Sequence, residues 1–167
     1  MTVRPVITWG DPRLKQNSAD IGEWTPELQQ LVEDMFETMQ VEEGVGLAAP
    51  QIGLNINLVV IDTSGGEDPA RKIVLINPEI TATEGVQKGS EGCLSVPGIT
   101  EILERPRKVW VKNRRPDGTW EELVGEDLLA RAFCHEIDHL RGKLFVECFG
   151  PVKRGMIQRK YQKLHRG

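Results

Sequence analysis

Two histidines, His135 and His139, lie four residues apart with Glu136 between them, in a stretch that contains no helix breaker. The stretch begins with Leu128-Leu129-Ala130-Arg131-Ala132-Phe133. At about 100° of rotation per residue, His135 and His139 emerge one turn apart on the same helix face. Glu136 falls on the adjacent face, within reach of whatever the two imidazoles hold. This spacing suits a metal ion: two nitrogen ligands on one rigid element, with a carboxylate poised over a bound water. The same three residues could equally form a solvated polar face. Two observations favour the metal. Leu128, Leu129, Ala132 and Phe133 make the helix a core element, and buried His and Glu are rare unless paired or metal-bound. Moreover, the chain has only three histidines, and two of them are here.

At 167 residues the chain is long enough to bury a proper core, and residues 1–167 are expected to form a single catalytic domain. No run approaches 18 consecutive apolar residues, so no membrane partner is expected. The net charge of −4 does not suggest DNA binding. The first ten residues show no apolar core of a signal peptide. Three cysteines, Cys93, Cys134 and Cys148, argue against a disulfide framework and fit a reducing cytoplasm.

Taken in order, residues 5–24 read as irregular, with a turn at Asp11-Pro12. Thr25-Pro26 signals a helix start, with Thr as N-cap and Pro at the first helical position. Leu28, Leu31, Val32, Met35, Phe36 and Met39 then follow with helical spacing and make one apolar stripe. The pattern runs out at Glu42-Glu43-Gly44. Residues 44–53 are small and read as a loop that permits close backbone approach; Gln51 is its one amide side chain. It lacks the Lys-Ser/Thr ending of a phosphate-binding loop. Strands are expected at 56–61, 72–76, 80–84, 99–103, 109–112 and 120–124. Pro116-Asp117-Gly118 marks a hairpin between the last two.

A catalytic metal site commonly has three protein ligands and one open position. Cys93, flanked by Gly92 and followed by Pro97, is more plausible as a ligand than as core, although a lone Cys is commonly a small buried hydrophobe. Cys134 is the competing thiol, but it points about 100° off the His135 face and reads as packing. Cys148 reads as structural. A downstream carboxylate has one candidate, since Glu147 is the only acid after His139.

Three stretches together carry a resemblance: Gly44-Val45-Gly46-Leu47-Ala48-Ala49-Pro50-Gln51, Glu91-Gly92-Cys93-Leu94-Ser95 and His135-Glu136-Ile137-Asp138-His139. They are similar, in order and spacing, to the three motifs of bacterial peptide deformylases, and the chain length matches too. Cys134 departs from the family, where many members have Gln. The resemblance implies an α+β fold, with antiparallel β-sheets around a central metal-binding helix and a helix near each terminus. It implies that Cys93, His135 and His139 hold one divalent metal ion, typically Fe(II), with Zn, Ni or Co as replacements. It also implies removal of formate from the N-formylmethionine of nascent peptides. Glu136 would act as general base and then general acid. The Leu94 N–H and the Gln51 amide would stabilise the oxyanion. Gly46 would contact the substrate backbone, and Val45, Leu128, the stem of Arg131 and Ala132 would line the methionine pocket.

Two rivals stand beside this. One is an ordinary HExxH zinc peptidase with a downstream third ligand. The other is a non-enzymatic zinc-binding module closed by Cys93, Cys134 and the two histidines, a site that would have no use for Glu136.

The last expectation concerns the tail. Residues 151–167 carry Lys153, Arg154, Arg159, Lys160, Lys163 and Arg166 without an acid, a net of +6, which leaves −10 on residues 1–150. Ile157, Tyr161 and Leu164 fall on one helical stripe. Such a basic C-terminal helix could dock on the body or contact ribosomal RNA, as the resemblance also suggests.

Overall fold

The structure, a computed structural model, describes residues 2–165. Thr25 and Pro26 open a helix as expected. This is α1, Pro26–Val41, and the Thr25 hydroxyl accepts a hydrogen bond from the Leu28 N–H at 3.2 Å. That bond satisfies one of the N–H groups a helix start cannot pair internally. The stripe of Leu31, Val32, Met35 and Met39 is buried.

The small-residue stretch is not wholly a loop. Gly46–Ala48 forms a buried strand, β1, antiparallel to β2 (Leu58–Asp62), which pairs antiparallel with β3 (Lys72–Ile76). Three residues are too few to show a period, and β1 exists because β2 supplies its hydrogen bonds. Ala49–Ile52 then turns through a short 3-10 helix that carries Gln51. Strand β2 is buried along its whole length. Leu58 and Val60 pack with the α1 stripe, while Val59 and Ile61 pack in a second core on the other face. Burial on both faces is why 58–61 reads as an unbroken apolar run.

A second antiparallel sheet has the order β4 (Glu79–Glu84), β7 (Lys108–Arg114), β8 (Trp120–Glu126). The turn between β7 and β8 contains Asp117, whose carboxylate accepts from the Thr119 N–H and hydroxyl. A third, two-stranded sheet pairs β5 (Gln87–Gly92) with β6 (Thr100–Arg105). Strand β5 has no β-branched residue and was not anticipated; it is held by its partner rather than by propensity.

The central element is α2, Leu128–Leu140, buried on nearly every side. Its Ala130, Phe133, Cys134, Ile137 and Leu140 share one core with Val59 and Ile61 of the first sheet and Val109 and Val111 of the second. Gly125 on β8 lets the helix approach. A Cβ there would lie 2.7 Å from the Phe133 ring and 2.8 Å from Leu129.

The C-terminal helix α3, Pro151–Leu164, docks on the body by fewer residues than expected. Ile157 is buried with Val96 and Ile99, and Tyr161 rests against Trp9 at 5.2 Å between ring centroids. Leu164, expected on the same stripe, is 54% exposed. Arg166 lies outside the described residues. The result is the expected α+β arrangement of antiparallel sheets around a central helix. Among the described residues no helix is long and apolar enough to cross a membrane.

Candidate metal centre and adjoining cavity

Helix α2 places His135 and His139 on one face, and the segment after β5 brings Cys93 to them. Cys93 Sγ lies 3.2 Å from His139 Nε2, which lies 3.3 Å from His135 Nε2. The three ligand atoms all fall within 4.8 Å of one another. Two imidazole nitrogens and a sulfur facing one point at these distances suit a cation better than shared protons. The tautomer agrees: His135 Nδ1 donates to Glu91 Oε2 at 2.7 Å, which leaves the Nε2 lone pair for the centre. Burial opposes a positive His135, but Glu136 and Cys93 outweigh it and raise its pKa, so in the absence of an ion a proton competes for Nε2. At His139 burial and the neighbouring His135 act together and lower the pKa. The donor set therefore fits a divalent ion, and softness and geometry allow several.

Glu136 sits beside the cluster with Oε2 4.0 Å from His135 Nε2. Burial pushes its carboxyl up to about 7, partly offset by His135. Its Oε1 is buried without a hydrogen-bond partner. Room for the carboxylate comes from Gly46 on β1, where an added Cβ would lie 2.7 Å from Glu136 Oε2. Gln51 is held by its Oε1, which accepts from the Ala48 N–H at 2.9 Å. Its amide nitrogen then points at Cys93 Sγ, 3.6 Å away, and Ser95 Oγ, 3.1 Å away.

A cavity of about 630 Å³ opens over these groups. Val45, Gly46, Gln51, Cys93, Leu94, Leu128, Arg131, Ala132, His135 and Glu136 all line it. Of the site residues that the resemblance implies, His139 alone stands behind the wall, buried within the cluster. Glu147, the downstream acid, pairs with Lys15 and is not in the cluster. Cys134 packs in the core, where burial pushes its thiol up to about 11.

Sequence reasoning gave no role to a buried network behind the site. Arg105 holds both oxygens of Glu91 at 3.0 and 2.7 Å and reaches Asp138 at 3.0 Å. Arg131 Nη1 adds a bond to Glu91 Oε1 at 3.0 Å. The available signal was Glu91 itself, an acid two residues before a candidate ligand.

A helix-borne histidine pair, a third donor from a neighbouring loop and an adjoining buried carboxylate over a cavity define a metal-dependent hydrolase. Comparison with known proteins narrows this. The sequence profile of the polypeptide deformylase family matches residues 3–155. A peptide deformylase of Acidobacterium capsulatum is 49% identical over 166 residues, covering 99% of this chain and 98% of its own. The crystal structure of a Legionella pneumophila peptide deformylase superposes with a TM-score of 0.91 at 44% identity, covering 98% of this chain and 96% of that one. The Ehrlichia chaffeensis peptide deformylase in complex with actinonin gives 0.89 at 32% identity, covering 100% of both chains. The chain belongs to the polypeptide deformylase family, enzymes that remove the N-formyl group from newly made polypeptides.

Proposed function

We propose that the chain releases formate from the N-formylmethionine of nascent peptides, with Cys93, His135 and His139 as the ligands of one divalent metal ion. Fe(II) is the proposed native ion, with Zn, Ni or Co able to replace it. The observation that carries this reading is the convergence of those three donors beside buried Glu136, with Cys93, His135 and Glu136 on the wall of the cavity and His139 just behind it. A divalent ion held there would supply Lewis acidity for the formyl carbonyl and for the attacking water. Glu136 would take a proton from the water and pass it to the departing amine. Its burial suits both steps, because it raises the carboxyl above the ordinary range and so makes it a better proton acceptor. The Gln51 amide nitrogen and the Leu94 N–H donate to the oxygen that gains charge. Gly46 offers main-chain contact to the peptide. Val45, Leu128, Ala132 and the stem of Arg131 enclose the methionine side chain.

On this reading residues 1–167 are one catalytic domain, working in the cytoplasm where nascent chains are made. Helix α3 has a second task, docking to ribosomal RNA. Arg154, Arg159, Lys160 and Lys163 are exposed on it without an acid among them, whereas the body is acidic.

The deciding experiment is formate release from formyl-Met-Ala-Ser under anaerobic conditions, with metal analysis on the same sample. Formate in step with metal content supports the proposal. Cleavage of internal peptide bonds instead would favour an ordinary zinc peptidase, and tightly held metal without hydrolysis would favour a binding module.

A further inference from the structure

We infer that Arg131 is a positioning residue which couples the pocket for the substrate side chain to the metal ligand His135 through Glu91. The inference rests on the proposed reading of the cavity.

Arg131 belongs to two places at once. It lines the cavity, yet the residue is only 7% exposed and its guanidinium is turned inward. Nη1 donates to Glu91 Oε1 at 3.0 Å and to the Leu103 carbonyl at 3.2 Å. Gly89 leaves space for the fork: a Cβ there would lie 3.3 Å from Arg131 Nη2. The other oxygen of Glu91 accepts from His135 Nδ1 at 2.7 Å. One carboxylate thus stands between the pocket wall and a ligand atom's ring. Arg105 also grips Glu91, but Asp138 anchors it from behind and it does not line the cavity. Glu91 and His135 line the same cavity, and Arg131 is the arginine of the network that an occupant of the pocket can touch.

The guanidinium is a rigid planar fork, so ordering the stem orders the fork. A side chain that fills the pocket immobilises the Arg131 stem, which fixes the Glu91–His135 bond and with it the imidazole ring. Binding energy from a non-reacting part of the substrate is then expressed at the reacting centre, as a gain in kcat rather than only in KM.

The test compares wild type with Arg131→Met, which keeps an unbranched apolar stem and removes the fork, and with Arg131→Lys, which keeps the charge and one donor group. Three quantities are measured: kcat and KM on formyl-Met-Ala-Ser, the same on formyl-Ala-Ala-Ser, and Zn(II) affinity by competition with a chelator. Coupling predicts that Arg131→Met loses about tenfold in kcat and in Zn(II) affinity, the usual scale for a group behind a ligand, while KM changes little. Arg131→Lys recovers part of the loss. In wild type, shortening the side chain lowers kcat, and the kcat ratio of the two peptides shrinks in Arg131→Met. A pocket wall with no coupling predicts the reverse: raised KM with kcat and Zn(II) affinity unchanged. Should Arg131→Met not fold, the wild-type comparison alone decides, since a purely KM effect of side-chain shortening overturns the inference. A wild type that releases formate from neither peptide overturns the proposed function instead, and the Zn(II) competition still reads the coupling.

Discussion

Gly46 and Glu136 share one volume. The carboxylate of the helix occupies the place where any other residue on β1 would carry its Cβ, 2.7 Å from Oε2. The edge strand of the first sheet and the catalytic helix are thus fitted to each other at the proposed general base.

The first prediction follows directly. Gly46→Ala should displace Glu136 by part of an ångström without touching the three proposed metal donors. We expect formate release to fall by about 10²-fold, the scale of a small misplacement at a reacting centre, with metal content retained. An alanine variant with wild-type turnover would show that Glu136 has room to spare.

Glu136→Gln keeps the shape of the side chain but accepts no proton. Turnover should fall by roughly 10²–10⁴-fold at full metal content. The pH profile carries a second signature. Burial raises the carboxyl to about 7, and a bound cation beside it must lower that value. The acid limb of kcat/KM for the loaded enzyme should therefore inflect between the ordinary 4.5 and about 7, with activity rising as pH rises. An inflection outside that window argues against Glu136 as the titrating base.

Glu91 predicts a pH dependence of stability. Burial works against its charge, but hydrogen bonds from His135 and Arg105 outweigh it and hold the carboxyl down at about 2. The fold therefore favours the ionised form. This stabilisation is fully present above the ordinary 4.5 and is lost as pH falls toward 2. Glu91→Gln should be less stable near neutrality, and its melting temperature should fall less steeply between pH 4.5 and 2. Parallel melting curves for the two proteins across that range would contradict this.

Cys93 lies on the cavity wall, where oxidants can reach it. A thiolate ligand beside Fe(II) is open to oxidation. Activity of the iron form should decay in air and be protected by catalase or reductant, while a nickel form should last longer. Equal lifetimes for the two forms in air would count against it.

For the C-terminal helix, charge must be separated from packing. Ile157 is buried, so truncation would remove core as well as charge, at about 2–5 kcal/mol for such a side chain. Replacing Arg159, Lys160 and Lys163 by Ser leaves the packed face alone. Formate release from a short peptide should be unchanged, while co-sedimentation with ribosomes should weaken. Binding by the unaltered chain should fall steeply with salt, as phosphate contacts release counterions. Salt-independent binding removes the case for RNA.

The helices were legible because their information is local. Thr25-Pro26 and the stripe to Met39 specify α1 without reference to anything else, and the His135–His139 spacing states its own geometry. Strands β1 and β5 were not legible, since Gly46–Ala48 and Gln87–Gly92 have no pattern of their own and are strands because a neighbour pairs with them. The third donor shows the same division. Cys93 could be preferred to Cys134 from its loop and from helix geometry, and the fold agrees by burying Cys134 in the core; setting Glu147 aside needed the fold, which pairs it with Lys15. The Glu91 network was out of reach for the same reason: its bond to His135 spans 44 positions.

The three proposed donors come from two segments far apart in the chain, with Cys93 and His139 separated by 46 positions. An ion that joins them would close a long loop, and the entropy cost of that closure has already been met once the intervening strands have folded. The unfolded chain therefore has little hold on the ion, and its binding energy accrues to the completed fold alone. Occupancy of the proposed centre would in effect report that folding has finished: a chain in which Leu140 has not yet joined the core would have an open thiol and two loose imidazoles, but no site.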